Sequence, residues 1–175
     1  MKFKENRSLA WILVVIAIIA SVLISGHVSL SSTRRKVMNT FYETMDTDLS
    51  TKSAYADNLS GVASRYLDRN SEYITNMTKA RDMLLNAKTP NEKYAASVKI
   101  TDAAAALYDV LGTKELNETD ERLRRSNYAD IVAVDDILKR TTFNQDVENF
   151  NNELNMFPAN VIASITGIDE AEYFR

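Results

Sequence analysis

The sequence predicts an all-α protein, with one N-terminal transmembrane helix followed by an antiparallel up-down bundle of about four long helices. Three observations carry this. Residues 9–24 read LAWILVVIAIIASVLI, apolar on every side except at Ser21. After residue 30, apolar residues recur at steps of three and four, which is the helical period. Four glycines and two prolines in 175 residues leave little material for hairpin turns.

The divisions that follow are a basic flank at 1–8, a transmembrane anchor at 9–30, a helical bundle at 31–156 and a tail with a short helix at 157–175. Residues 8–28 carry no charge, and about 20 residues at a rise of about 1.5 Å each cross a hydrocarbon core of about 30 Å. Trp11 stands near one end, where interfacial aromatics collect. A cleaved signal peptide is the rival. Lys2, Lys4 and Arg7 suit one, but the apolar run is long and β-branched, and no A-x-A site follows it. Three basic residues precede the span, and Arg34, Arg35 and Lys36 follow it. The first three sit closer, which favours, by a small margin, an outside location for the bundle.

Beyond the anchor, Val37, Phe41, Met45 and Leu49 mark a first helix. Leu59, Val62, Tyr66, Tyr73, Met77, Ala80, Leu84 and Ala87 mark a second, read as one helix of about 30 residues. Asp57 is its expected N-cap, and Asn70 is its one polar gap. The KTPN run at 88–91 breaks the chain. Ala96, Ile100, Ala103, Leu107 and Val110 or Leu111 form the third stripe, with Gly112 as the expected C′ glycine. Residues 114–119 read as a polar loop. A fourth helix starts near Thr119 or Asp120, with Ile131, Val134 and Leu138, then Phe143, Val147, Phe150, Leu154 and Phe157. The step of five from Leu138 to Phe143 shifts the phase and predicts a kink or a change of partner. Pro158 ends this helix. In such a topology the tail returns toward the bilayer.

Chemistry is sparse. No cysteine excludes disulfides, thiolate zinc sites and cysteine nucleophiles. His27 is the single imidazole, and four scattered glycines make no phosphate loop. Adjacent Asp135 and Asp136 point in different directions on a helix and form no carboxylate dyad. No cofactor or metal site is expected, and with no nucleophile–base–oxyanion set, no enzymatic activity. Residues 1–36 hold six basic residues and one acid; the remainder holds 15 basic and 23 acidic, net −8. An acidic body disfavours nucleic acid, while the basic residues crowd the anchor, where anionic headgroups sit.

The tail reads FPANVIASITGIDEAEYF over residues 157–174. It resembles the C-terminal motif of the LemA family, which runs F-P-x-N, apolar, I-A, then a glycine and closing aromatics. Upstream, Phe143-Asn144 and Phe150-Asn151 fall where that family has two Tyr-Asn pairs. Asp46, Leu49, Lys52, Asn58 and Leu59 follow its D-x-x-L-x-x-(R/K)-x5-N-L spacing, with Asp57 where a proline is usual. Residues 88–136 match no pattern of the family, so the chain resembles a divergent member. The resemblance implies a membrane-anchored antiparallel bundle, a bacterial source and no established reaction.

The expected function is therefore a membrane-anchored scaffold or interaction protein of the bacterial envelope, with protein partners or self-association and no small-molecule substrate identified. Two rivals stay open: an extracellular ligand sensor, with Asn70 as its polar candidate, and a lipid-binding or membrane-organising protein. In the tail, Phe157, Val161, Ile162, Ile165 and Ile168 follow helical steps, with Gly167 as the stop. These five either form a lid over the bundle core or, with Arg34, Arg35 and Lys36, touch a partner or the bilayer.

Overall fold

The computed structural model describes residues 7–175; the start of the basic flank, with Lys2 and Lys4, lies outside the described residues. The order is α1 (Arg7–Thr40), a π-helical turn (Phe41–Met45), α2 (Asp46–Ala63), α3 (Glu72–Asn86), α4 (Pro90–Leu111), α5 (Glu118–Lys139), α6 (Phe143–Asn155) and α7 (Ala159–Thr166). There is no strand among the described residues. Two compact units form: one from residues up to Met38 with Gln145–Ala171, the other from Asn39–Asn144 with Glu172–Arg175.

The second unit is the bundle. There α2 packs against α3, α4 and α5, α3 packs against α4, and α4 against α5. Leu49, Leu59, Ile100, Leu107 and Ile131 are fully buried at its centre. The stripe Phe41, Met45, Leu49 advances in fours, which on an ordinary helix drifts by about 40° per step. The π turn holds an extra residue at this point, so Phe41, Met45 and Leu49 all stay buried.

Three expectations fail in instructive ways. The helix expected across 59–87 is two helices, broken between Ala63 and Glu72. Asn70 is exposed in the break, its backbone N–H donating to the Asp68 carboxylate at 2.8 Å. The polar gap was thus a loop, closed by a local Asx turn, and Asn70 is not in the core. What bends the chain is visible in its partners. Tyr66 Oη donates to Asp120 at 2.7 Å, and Arg65 pairs with the same carboxylate. Asp57 caps nothing: it sits inside α2, exposed, and pairs with Arg81. Gly112 does follow α4, but at φ −63°, an ordinary helical value. Its missing side chain serves packing instead: a Cβ there would lie 3.3 Å from an Arg124 guanidinium nitrogen.

Other boundaries behave as expected. Thr89 and Glu92 form a reciprocal capping box with Pro90 at the first helical position. Asn117 Oδ1 accepts from the Asp120 N–H and opens α5. The five-residue step marks a true break, at 140–142. Asp135 and Asp136 diverge, Asp135 turning inward to Lys52 and Asp136 outward to Lys139.

Two electrostatic clusters tie the bundle. Lys52 is fully buried on α2. Its ammonium donates to Ser97 O at 2.8 Å, to Ser97 Oγ and Thr101 Oγ1 at 2.7 Å each, and to the Asp135 carboxylate. Burial pulls its pKa below the usual lysine value, with Asp135 opposing the fall. At the far end of α4, Arg124 donates twice to Glu121 (2.7 and 2.9 Å) and once to Tyr108 O (2.7 Å). It also lies 4.0 Å from the centre of the Tyr108 ring.

Lys52→Met, which leaves Asp135 half-buried without its cation, is expected to destabilise the bundle by about 3 kcal/mol. Adding Asp135→Leu should restore most of that loss, as read by denaturant unfolding of the two variants. Acid provides a separate test. Arg124 and then Arg125 hold the Glu121 carboxyl down at about 2, from 4.5. Its contribution is therefore complete above pH 4.5 and is lost as pH falls toward 2. The melting temperature should drop across that window, and Glu121→Gln should flatten the drop.

Candidate functional site

An 18-residue stretch near the start of the α1–α2 helical run has a mean hydropathy of 2.7, and none of it is buried. Trp11 is 70% exposed, and Ile12, Ile16 and Ile19 are exposed with it. Such a surface is too apolar for water, and the helix is long and apolar enough to cross a membrane. Leu30 is the first buried residue along it, followed by Val37.

In the first unit α7 lies against the end of this stretch. Ile162 and Ala163 are its buried residues. A Cβ added at Gly26 would fall 2.5 Å from Ile162 Cδ1, so the glycine is what lets Ile162 lie on the α1 backbone. Gly167 stops α7 at φ +71°, a left-handed conformation that glycine adopts freely. The turn leads to Asp169, whose carbonyl accepts from Arg34 Nε at 3.1 Å. Asn160 Oδ1 accepts from the Val161 N–H at 2.7 Å, which keeps that amide local.

The expected contact residues therefore divide. Ile162 is buried, Ile168 is half-buried and Arg34 is held by the tail. Phe157 at 83%, Ile165 at 62% and Val161 at 47% form an exposed apolar set with Met156. Arg35 and Lys36 are exposed. Within the first unit α7 packs on α1 through Ile162, and within the bundle unit Phe174 packs inside. There it meets Phe41 at 5.9 Å and Tyr94 at 5.3 Å between ring centres.

The two Phe-Asn pairs turn out to hold this tail. Asn151 Nδ2 donates to Ala171 O at 3.0 Å, and the Ala171 N–H donates back to Asn151 Oδ1 at 2.8 Å. In the other unit, Asn144 makes the same reciprocal pair with the backbone of Phe174, at 2.9 and 2.8 Å. A side-chain amide offers one donor and one acceptor, as a β-ladder neighbour would. Phe143 and Phe150 are both buried.

The bundle unit also holds an open pocket of about 470 Å³, lined by Tyr94, Thr101, Asp102, Asp135, Lys139 and Phe174 among others. Thr101 Oγ1 donates to Asp135 Oδ2 there at 2.7 Å. Nothing in the sequence pattern marked it, because its residues come from three helices and the tail. Among the described residues, no three His, Asp or Glu side chains converge as ligands to a metal ion would.

The model of the LemA family matches residues 42–175 of the chain. The match takes in the middle segment, 88–136, where the motifs had failed, and it starts beyond the apolar stretch. No curated protein matches the chain.

Asn151→Ala removes both bonds to Ala171 and leaves buried backbone groups without partners, at about 1–3 kcal/mol. Limited digestion should then clip the last residues of the variant faster than those of the parent. Equal rates would show that the amide does not hold the tail.

Proposed function

The chain belongs to the LemA family, and from that premise we propose that it is a non-enzymatic scaffold of the bacterial envelope, anchored to the membrane by a single pass of α1. The observation that carries the proposal is the exposure of α1 up to Leu30, followed by burial from Leu30 onward. An apolar helix with no protein cover finds its partner in lipid. Its continuation supplies Leu49, Ala56 and Leu59 to the bundle core, so anchor and bundle share one helix.

In this arrangement α7 lies at the bilayer surface, since it packs on Gly26, near the end of the apolar stretch. Phe157, Val161 and Ile165 would then enter the interface instead of water. Burying three such side chains in part contributes a few kcal/mol, at roughly 1.5–3 for each one fully buried. A membrane-spanning helix exceeds that by far. Attachment is thus the work of α1, and α7 fixes how the chain sits at the surface. The acidic bundle, free of base-reading features, presents its outer faces to protein partners or to a second copy.

Sidedness and partners test this directly. With no native cysteine, Lys2→Cys and Ser126→Cys can be labelled singly in intact cells with a membrane-impermeant maleimide. Labelling at Ser126→Cys alone is expected and puts the bundle outside; labelling at Lys2→Cys alone would put it in the cytoplasm. Mild detergent extracts should yield a complex of defined size, and recovery of monomer alone would contradict a scaffold.

The pocket beside Asp135 and Phe174 favours a second reading, an extracellular ligand sensor. A saturable thermal shift with a small metabolite would support it, and a screen with no shift would remove it.

A further inference from the structure

Beside the contact of α7 with α1 lies a crevice of about 360 Å³. His27, Ser31, Arg34 and Arg35 line its α1 side, and Ile168 and Asp169 line the other. The α1 residues are spaced 4, 3 and 1 apart, one continuous face of a helix. We propose that this crevice binds the phosphate headgroup of an anionic phospholipid. The proposal rests on the reading of α1 as a membrane anchor.

Depth is the first argument. The anchor ends at Leu30, so Ser31 to Arg35 covers about the next 7 Å of helix. The headgroup zone occupies about 5–7 Å beyond each face of the hydrocarbon. A phosphate at that level meets this face of α1, with acyl chains free to run along exposed Ile24 and Val28, and along Val161 and Ile165 of α7.

Charge is the second. Arg34 is pinned through Nε to the Asp169 carbonyl, which orients the guanidinium without neutralising it. Among the described residues, Arg35 has neither an ion pair nor a hydrogen bond. Ser31 Oγ and His27 Nε2 lie 3.5 Å apart and add polar groups that serve a phosphate oxygen. Asp169 contributes the crevice's one acid, and it forms no ion pair with either arginine. Two guanidiniums against one carboxylate leave a net positive site, and guanidinium matches phosphate by paired hydrogen bonds.

The full chain in detergent micelles, examined by native mass spectrometry, tests the site. Phosphatidylglycerol should add one lipid saturably, and phosphatidylcholine should not. Arg35→Ala, which removes no bond within the protein, should weaken phosphatidylglycerol binding about fivefold. Arg34→Lys/Arg35→Lys, which keeps the charge, should retain most of it. Equal binding of the two lipids, or unchanged binding by Arg35→Ala, would overturn the proposal. So would displacement of the lipid by millimolar inorganic phosphate, which would assign the site to the free anion. Alkaline carbonate extraction of the same variants separates this outcome from the anchor. A chain that stays in the membrane yet shows no lipid selectivity refutes the headgroup site alone, whereas release of the parent chain refutes the anchor and the headgroup site with it.

Discussion

An apolar helix surface has to meet either hydrocarbon or protein, and along the run from α1 into α2 that requirement changes at Leu30. Before it, leucines, isoleucines and valines face outward on all sides. After it, one stripe is buried, at Leu30, Val37, Phe41, Met45 and Leu49, and the other faces carry serine, threonine and charge. Everything else accommodates that change. The π turn keeps the stripe inward where its spacing in fours would have carried it round. The bundle of α2 to α5 supplies the cover that α2 needs, and the fully buried Lys52 sets its register through bonds to α4 and α5. A buried ammonium is costly unless every proton finds an acceptor, and here the acceptors come from two helices at fixed heights.

The tail is built on a different economy of bonds. Extended backbone after Gly167 has no sheet to join, and its amides would be left unpaired wherever the chain is buried. The side chains of Asn144 and Asn151 supply the missing ladder partners. The adjoining aromatic rings, Phe143 and Phe150, are buried. A Phe-Asn pair therefore combines an apolar grip on the core with an adjacent polar grip on the tail.

Much of this was legible in the residues. Uniform apolarity marked α1, steps of three and four marked the stripes, KTPN marked the break before α4, and the phase shift after Leu138 marked a kink or change of partner where the chain breaks before α6. The break between α2 and α3 was not legible, because the apolar positions on either side of it stay in helical register. Tyr66 and Arg65 leave the helix to reach Asp120, a partner 54 to 55 residues away that periodicity does not encode. Lys52 matched a spacing, yet nothing local marked it as buried; its acceptors lie 45 to 83 residues on. In the candidate site, the eight expected residues do not form one surface. Only the fold separates Ile162, packed on Gly26, from Val161 and Ile165, which face outward one residue before and three residues after it.

Once α1 is in lipid, the packing of α7 on Gly26 requires α7 to share the depth of the end of α1. Spin labels at Ile165→Cys, Ile24→Cys and Ser126→Cys in proteoliposomes, read by power saturation with oxygen and with a water-soluble nickel chelate, measure that depth. Ile165→Cys should resemble Ile24→Cys, with oxygen favoured and the chelate excluded. An Ile165→Cys label as open to the chelate as one at Ser126→Cys would place α7 in water and contradict the account.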